Sequence, residues 1–114
     1  MLDALKNLGN LPGLMARAKE MQEKMQALQA DLARRTYSAD AGAGVVTATV
    51  TGKLELKKVH IDKARVDTAD TELLEDLIVA AVSAAQAKAA AAIAEEMTKA
   101  AGGMGLPPGL LPGA

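Results

Sequence analysis

Residues 36–62 read TYSADAGAGVVTATVTGKLELKKVHID, and this stretch decides against a helical bundle. Val46, Ala48 and Val50 alternate with Thr47, Thr49 and Thr51, the period of two expected for a strand with one apolar and one hydroxyl face. The pattern predicts three short antiparallel strands. Thr36 to Asp40 is the first, Ala41-Gly42-Ala43-Gly44 is a hairpin turn, and Val45 to Thr51 is the second. Gly52-Lys53 then turns the chain into a third strand, Leu54 to Asp62. Leu54 and Leu56 share a phase that Val59 and Ile61 do not, so an extra residue at Lys57-Lys58 is expected as a β-bulge that re-aims both lysines. One face of such a meander needs a cover, and helices are the available cover.

Working outward to the N-terminal side, Leu11, Leu14, Ala18, Met21, Met25, Leu28 and Leu32 recur at alternating spacings of three and four. That is an a/d seam on a helix running from Pro12 to about Arg35. The seam is narrow, which predicts packing against one partner helix or ridge. Arg17, Lys19, Glu20, Glu23, Lys24, Gln26 and Arg34 lie off the seam, with Glu20 and Lys24 spaced as an i,i+4 pair. Residues 1–10 read as a weakly apolar lead-in ending in turn residues.

On the C-terminal side, Asp70 is placed as the N-cap of a second long helix, with Glu72, Glu75 and Asp76 near its positive end. Leu74, Leu77, Ile78 and Val82 form an apolar face that Ile93 and Met97 continue, and 10 of the 15 residues from Ala80 to Ala94 are alanine. Gly102-Gly103 is expected to stop this helix. Residues 102–114 (GGMGLPPGLLPGA) read as a flexible Gly/Pro-rich tail, leaving residues 1–101 as a single domain. The fold class is α+β in the order α-β-β-β-α.

Composition narrows the function. Of 114 residues half are apolar, but 25 of those 57 are alanine, and Phe and Trp are absent. A lone subunit therefore has little bulky material for a core, and self-association is expected. The absence of cysteine excludes a disulfide framework, a thiolate nucleophile and thiolate metal sites, while a single histidine, His60, makes a zinc cluster or histidine relay implausible. No secretory signal is visible, and the longest uncharged apolar stretch, Leu77 to Ala87, is 11 residues, too short to span a bilayer. A soluble, cytoplasmic protein without cofactor or metal is the expectation.

Candidate catalytic groups do not converge. Glu75/Asp76 and Glu95/Glu96 are adjacent on helices and diverge by about 100°, so neither pair forms an acid/base dyad, and Glu95 is better placed to pair with Lys99. His60 alternates with Val59 and Ile61 and is expected on the polar side of its strand. Gly42-Ala43-Gly44 precedes a strand, not the helix N-terminus that a phosphate loop needs. Ser83 sits in an alanine run without a base. The chain is not read as an enzyme.

The basic residues carry more information. Residues 1–66 hold 11 Lys/Arg against 7 Asp/Glu, a net of +4, whereas residues 67–114 hold 2 against 7, a net of −5. Arg34-Arg35 ends the first helix, and Lys57-Lys58 sits on the bulge. With almost no aromatic residues, base stacking is ruled out, so contact with the phosphates of duplex DNA is the nucleic-acid mode this composition allows.

Five segments in order resemble the YbaB/EbfC family of bacterial nucleoid-associated proteins. Gly9 to Met25 (GNLPGLMARAKEMQEKM) resembles its first helix, and Gly42 to Val46 its hairpin. Lys57 to Asp62 resembles its basic pair and V-x-I-D strand end, Leu73 to Ala81 its L-E-D-L helix, and Leu106 to Gly109 its proline-rich tail. The resemblance implies an α-β-β-β-α subunit in a tweezer-like homodimer that binds duplex DNA in the nucleoid without catalysis. It departs in the second helix, where family members often carry basic residues around 87–89 and this chain keeps only Lys88.

The function expected is a nucleoid-associated, homodimeric protein that binds duplex DNA through phosphates with little sequence preference and takes part in chromosome organisation. Arg17, Lys19, Lys24, Arg34, Arg35, Lys57 and Lys58 are the candidate DNA contacts. Leu14, Ala18, Met21, Met25, Leu28 and Leu32 are the candidate dimer or core seam. The competing expectation is a protein–protein interaction module, an adaptor for a replication or recombination factor, using the heptad seam and the proline-rich tail.

Overall fold

The structure is a computed structural model that describes residues 11–103. The expectations for residues 1–10 and for the tail beyond Gly103 lie outside the described residues. The elements follow the order read from the sequence: helix α1 (Leu11–Arg34), strands β1 (Thr36–Ala41), β2 (Val46–Thr51) and β3 (Leu56–Ile61), and helix α2 (Thr71–Gly103). The chain divides into two units, residues 1–30 and residues 31–114.

In the first unit the seam carries no cover along its first turns. Leu11 is 48% exposed and Leu14 is 49% exposed, Ala18 is exposed, and Met21, Met25 and Leu28 are half-buried. The seam reaches full burial only at Leu32, in the second unit. Leu11 and Leu14 thus stand in water at heptad spacing, with Met21, Met25 and Leu28 part-covered behind them.

The second unit is a three-stranded antiparallel meander, order β1-β2-β3, backed by α2. Val46, Ala48 and Val50 on β2 are fully buried against Ala81, Ala85 and Ala89, one residue per turn of α2. The alanines let the helix approach the sheet closely, and burying each valine is worth about 1.5–3 kcal/mol. Tyr37, Val59, Ile61, Leu74, Leu77 and Ile78 pack around this centre. The opposite sheet face keeps the hydroxyl row, where Ser38 and Thr49 share a hydrogen bond of 2.8 Å.

Both turns depart slightly from the expected limits. Gly42, Ala43 and Gly44 hold φ of 64°, 54° and 91°, so the hairpin turn is left-handed throughout, and the second strand begins at Val46. Leu54 also has a positive φ, 66°, which removes it from the third strand; pairing starts at Leu56. At the other end β3 stops at Ile61, because the Asp62 carboxylate turns back to accept from the Ala64 N–H at 3.0 Å.

Helix α2 starts as expected, with the Asp70 carboxylate accepting from the Leu73 N–H at 3.0 Å. It runs through Gly102 and Gly103, where the sequence predicted a stop; glycine tolerates helical dihedrals at a helix end, and such limits shift by a residue or two. The helix is long and apolar enough to cross a bilayer, contrary to the reading of the Leu77–Ala87 stretch, since Lys88 is the single charge between Asp76 and Glu95. The sheet covers one face of it, and Lys88 Nζ donates to the Ser38 carbonyl at 3.0 Å, so α2 is the backbone of a folded layer.

Candidate nucleic-acid interface

The first group of predicted contacts lies on α1. Arg17 and Lys24 are seven residues apart and share one line along the helix, while Lys19 lies about 160° round from Arg17. A single straight phosphate run along α1 therefore meets Arg17 and Lys24 together, but not Lys19. Lys24 forms the expected pair with Glu20 at 3.2 Å; both are about two-thirds exposed, and such a pair holds the lysine only weakly. Arg17 and Lys19 have no carboxylate partner among the described residues.

The second group gathers at one end of the sheet. The chain leaves α1 at Arg34, and Thr36 already pairs with Thr51 on β2. Across that first rung, the Gly52 N–H donates to the Arg35 carbonyl at 3.0 Å. A Cβ on Gly52 would stand 1.8 Å from the Leu32 carbonyl oxygen, so only glycine permits this approach. The junction between α1 and β1 is thereby pressed onto the β2–β3 turn, which brings Arg34, Arg35 and Lys53 to the same end of the sheet. Lys53 was not among the predicted contacts; the signal for it was the glycine beside it, whose close approach no spacing rule exposes.

Lys57 and Lys58 follow on β3. Thr49 pairs with Lys58 and Val50 with Leu56, so Lys57 is the unpaired extra residue of the bulge the sequence predicted. Both lysines are exposed, and neither has a carboxylate partner among the described residues. The arginines are less free. Arg35 donates twice to the Asp31 carboxylate, from Nε at 3.1 Å and Nη2 at 2.8 Å, and Arg34 Nη2 lies 3.7 Å from the other Asp31 oxygen. These bonds push the Arg35 guanidinium further above its ordinary range.

The remaining candidates separate from this surface. Arg65 donates to Asp62 at 2.8 Å and to the Ala43 carbonyl at 2.9 Å, fastening the loop after β3 to the left-handed hairpin. Asp62 is held below the ordinary carboxylate range by the Arg65 bond and the Ala64 N–H. His60 is exposed on the hydroxyl side of the sheet, opposite Thr47. Glu95 and Lys99 pair at 3.4 Å, as their spacing implied. Among the described residues no three His, Asp or Glu side chains are grouped to hold a metal ion.

A meander backed by one long helix, with lysines and arginines towards one sheet end, defines a small α+β protein with a basic surface. The chain belongs to the YbaB/EbfC DNA-binding family, whose sequence profile matches residues 7–104. It is 53% identical over 105 residues to a nucleoid-associated protein of Paramagnetospirillum magneticum, covering 92% of this chain and 95% of that one. A nucleoid-associated protein of Acetivibrio thermocellus is 41% identical over 102 residues, with 90% of each chain covered. Among solved structures, an uncharacterized protein of Helicobacter pylori shares the fold at a TM-score of 0.52 and 20% identity, over 76% of this chain and 96% of that one.

Proposed function

We propose that the protein binds duplex DNA as a tweezer-like homodimer, in the nucleoid of the bacterial cytoplasm, by neutralising backbone phosphates. The observation that carries this reading is that Arg34, Arg35, Lys53, Lys57 and Lys58 all lie towards one end of the sheet, the first three through the Gly52–Arg35 contact and the last two through the β2–β3 register. Family membership supports DNA as the polyanion. The single tyrosine is half-buried against the core and so is withdrawn from base stacking, which favours phosphate contact with little sequence readout.

The homodimer rests on two uncovered surfaces. One is the α1 seam. The other is α2, which carries a single charge, Lys88, between Asp76 and Glu95 and is covered by the sheet on one face, while Leu73 is 49% exposed and Val79 is 64% exposed. Apolar side chains left in water on such a helix call for a further cover, and a second copy supplies it.

Titrating labelled random-sequence duplex at several salt concentrations tests the reading. About four phosphate contacts per subunit, about eight per dimer, give a log–log slope of about −7. Changing Lys57 and Lys58 to Ala should weaken binding to all duplexes alike and make the slope shallower by about 3–4. Binding that is insensitive to salt, or unchanged in the double variant, would remove this surface as the phosphate contact.

A further inference from the structure

Asp31 has no evident reason to be an acid. It lies in the last turn of α1, at the negative end of the helix dipole, where a carboxylate is disfavoured and where aspartate is also a poor helix former. Its ion pairs fasten nothing distant: Arg34 and Arg35 are three and four residues away in the same chain turn. The junction they occupy is already held by the buried Leu32 and by the Gly52 N–H on the Arg35 carbonyl. The Arg35 and Asp31 side chains are each 46% exposed and Arg34 is 78% exposed, so these pairs add little to folding. The contrast with Asp62 is direct, because its partner Arg65 bridges to the Ala43 carbonyl and ties two separate loops together.

What Asp31 does is occupy the donors a phosphate would use. Its Oδ2 accepts from both Nε and Nη2 of Arg35, the edge of a guanidinium that grips a phosphate in two-point fashion, while Oδ1 faces Arg34. Resting on the DNA-binding reading above, we propose that Asp31 is an internal competitor for phosphate, which holds Arg34 and Arg35 partly neutralised and sets DNA affinity below what the basic sheet end would otherwise give. Glu96, whose charge Arg35 also feels, adds to the same restraint without contacting the guanidinium. Lys53, Lys57 and Lys58 have no such restraint among the described residues and make the first contacts; the arginines engage when a phosphate displaces the carboxylate.

The test is a double-mutant cycle on the full chain, read by fluorescence anisotropy with a random-sequence duplex. Asp31→Asn should bind about tenfold more tightly at 0.1 M salt with a slope steeper by about 2, the effect of one added phosphate contact per subunit of the dimer. In an Arg34→Ala/Arg35→Ala background the same change should move the Kd less than about twofold, because the groups it releases are gone. Asp31→Glu should behave as the parent. Circular dichroism establishes that each variant is folded. Equal tightening in both backgrounds would mean a general charge effect and overturn the proposal, as would unchanged or weaker binding by Asp31→Asn. Absence of binding by both the parent and Asp31→Asn would instead overturn the DNA reading, and this proposal with it.

Discussion

Gly52 and Asp62 show how single residues fasten opposite ends of the sheet, Gly52 the basic end and Asp62 the hairpin end. Changing Gly52 to Ala puts a methyl group 1.8 Å from the Leu32 carbonyl oxygen, and neither backbone can retreat without breaking the Thr36–Thr51 rung or unburying Leu32. The expected loss is about 3 kcal/mol or more, measured as a shift in urea midpoint; a loss below about 1 kcal/mol would show that the junction is looser than the contact implies. Asp62 gives a pH signature. Its carboxyl is held below the ordinary range in the folded state by Arg65, so its contribution is present above the unfolded pKa and is lost as pH falls through the folded one. Arg65→Met should therefore be less stable than the parent at neutral pH, with the two stability curves converging below about pH 4. Curves that stay parallel into acid would assign the effect to lost packing. Neither role was legible in the sequence: Gly52 reads only as a turn residue and Asp62 only as a strand end, while the contacts that give them their roles, Gly52 on Leu32 and Arg65 on Ala43, span 20 or more residues.

At the level of elements, reading the sequence worked where one periodicity dominates. The alternation of Val46, Ala48 and Val50 named the buried face of β2, the change of phase after Leu56 named the bulge at Lys57, and Asp70 named the start of α2. It worked less well where chain conformation outvotes side-chain pattern. Leu54 continues an apolar alternation but sits in the left-handed region, which only the geometry of the turn dictates. The alanines of α2 read as helix formers, whereas three of them are the contact surface itself. Ala85→Leu should thus be destabilising by about 1–3 kcal/mol despite being favourable for an isolated helix, because the added carbons meet β2 at a fixed separation. A melting temperature equal to or above that of the parent would show that the layers part to admit it.

For the whole molecule the decisive quantity is apolar surface left without cover. The seam on α1 exposes Leu11 and Leu14 and the outer face of α2 exposes Leu73 and Val79, and the composition offers one aromatic residue, Tyr37, inside the subunit to compensate. The protein should run as a dimer in light scattering at micromolar concentration. Changing Met25 and Leu28 to Glu should dissociate it or unfold it, since each charge would be driven into an apolar contact. A variant that remains dimeric with unchanged melting would move the interface off the seam. The candidate DNA contacts were legible as clusters in sequence, but the approach of Arg34 and Arg35 to Lys53 was not, because it depends on a rung between β1 and β2 and on one missing Cβ.

The unpaired residue of the β3 bulge has a consequence for how such a protein diversifies. Every other side chain on β3 answers to a neighbour across the ladder, so replacing it disturbs a pair. Lys57 has no counterpart on β2 and is exposed. Its charge can be gained, lost or reversed by point substitution while the sheet keeps its register. On the proposed function, adhesion to a polyanion can therefore drift in steps of one charge per subunit, without the folding of the domain being put at risk.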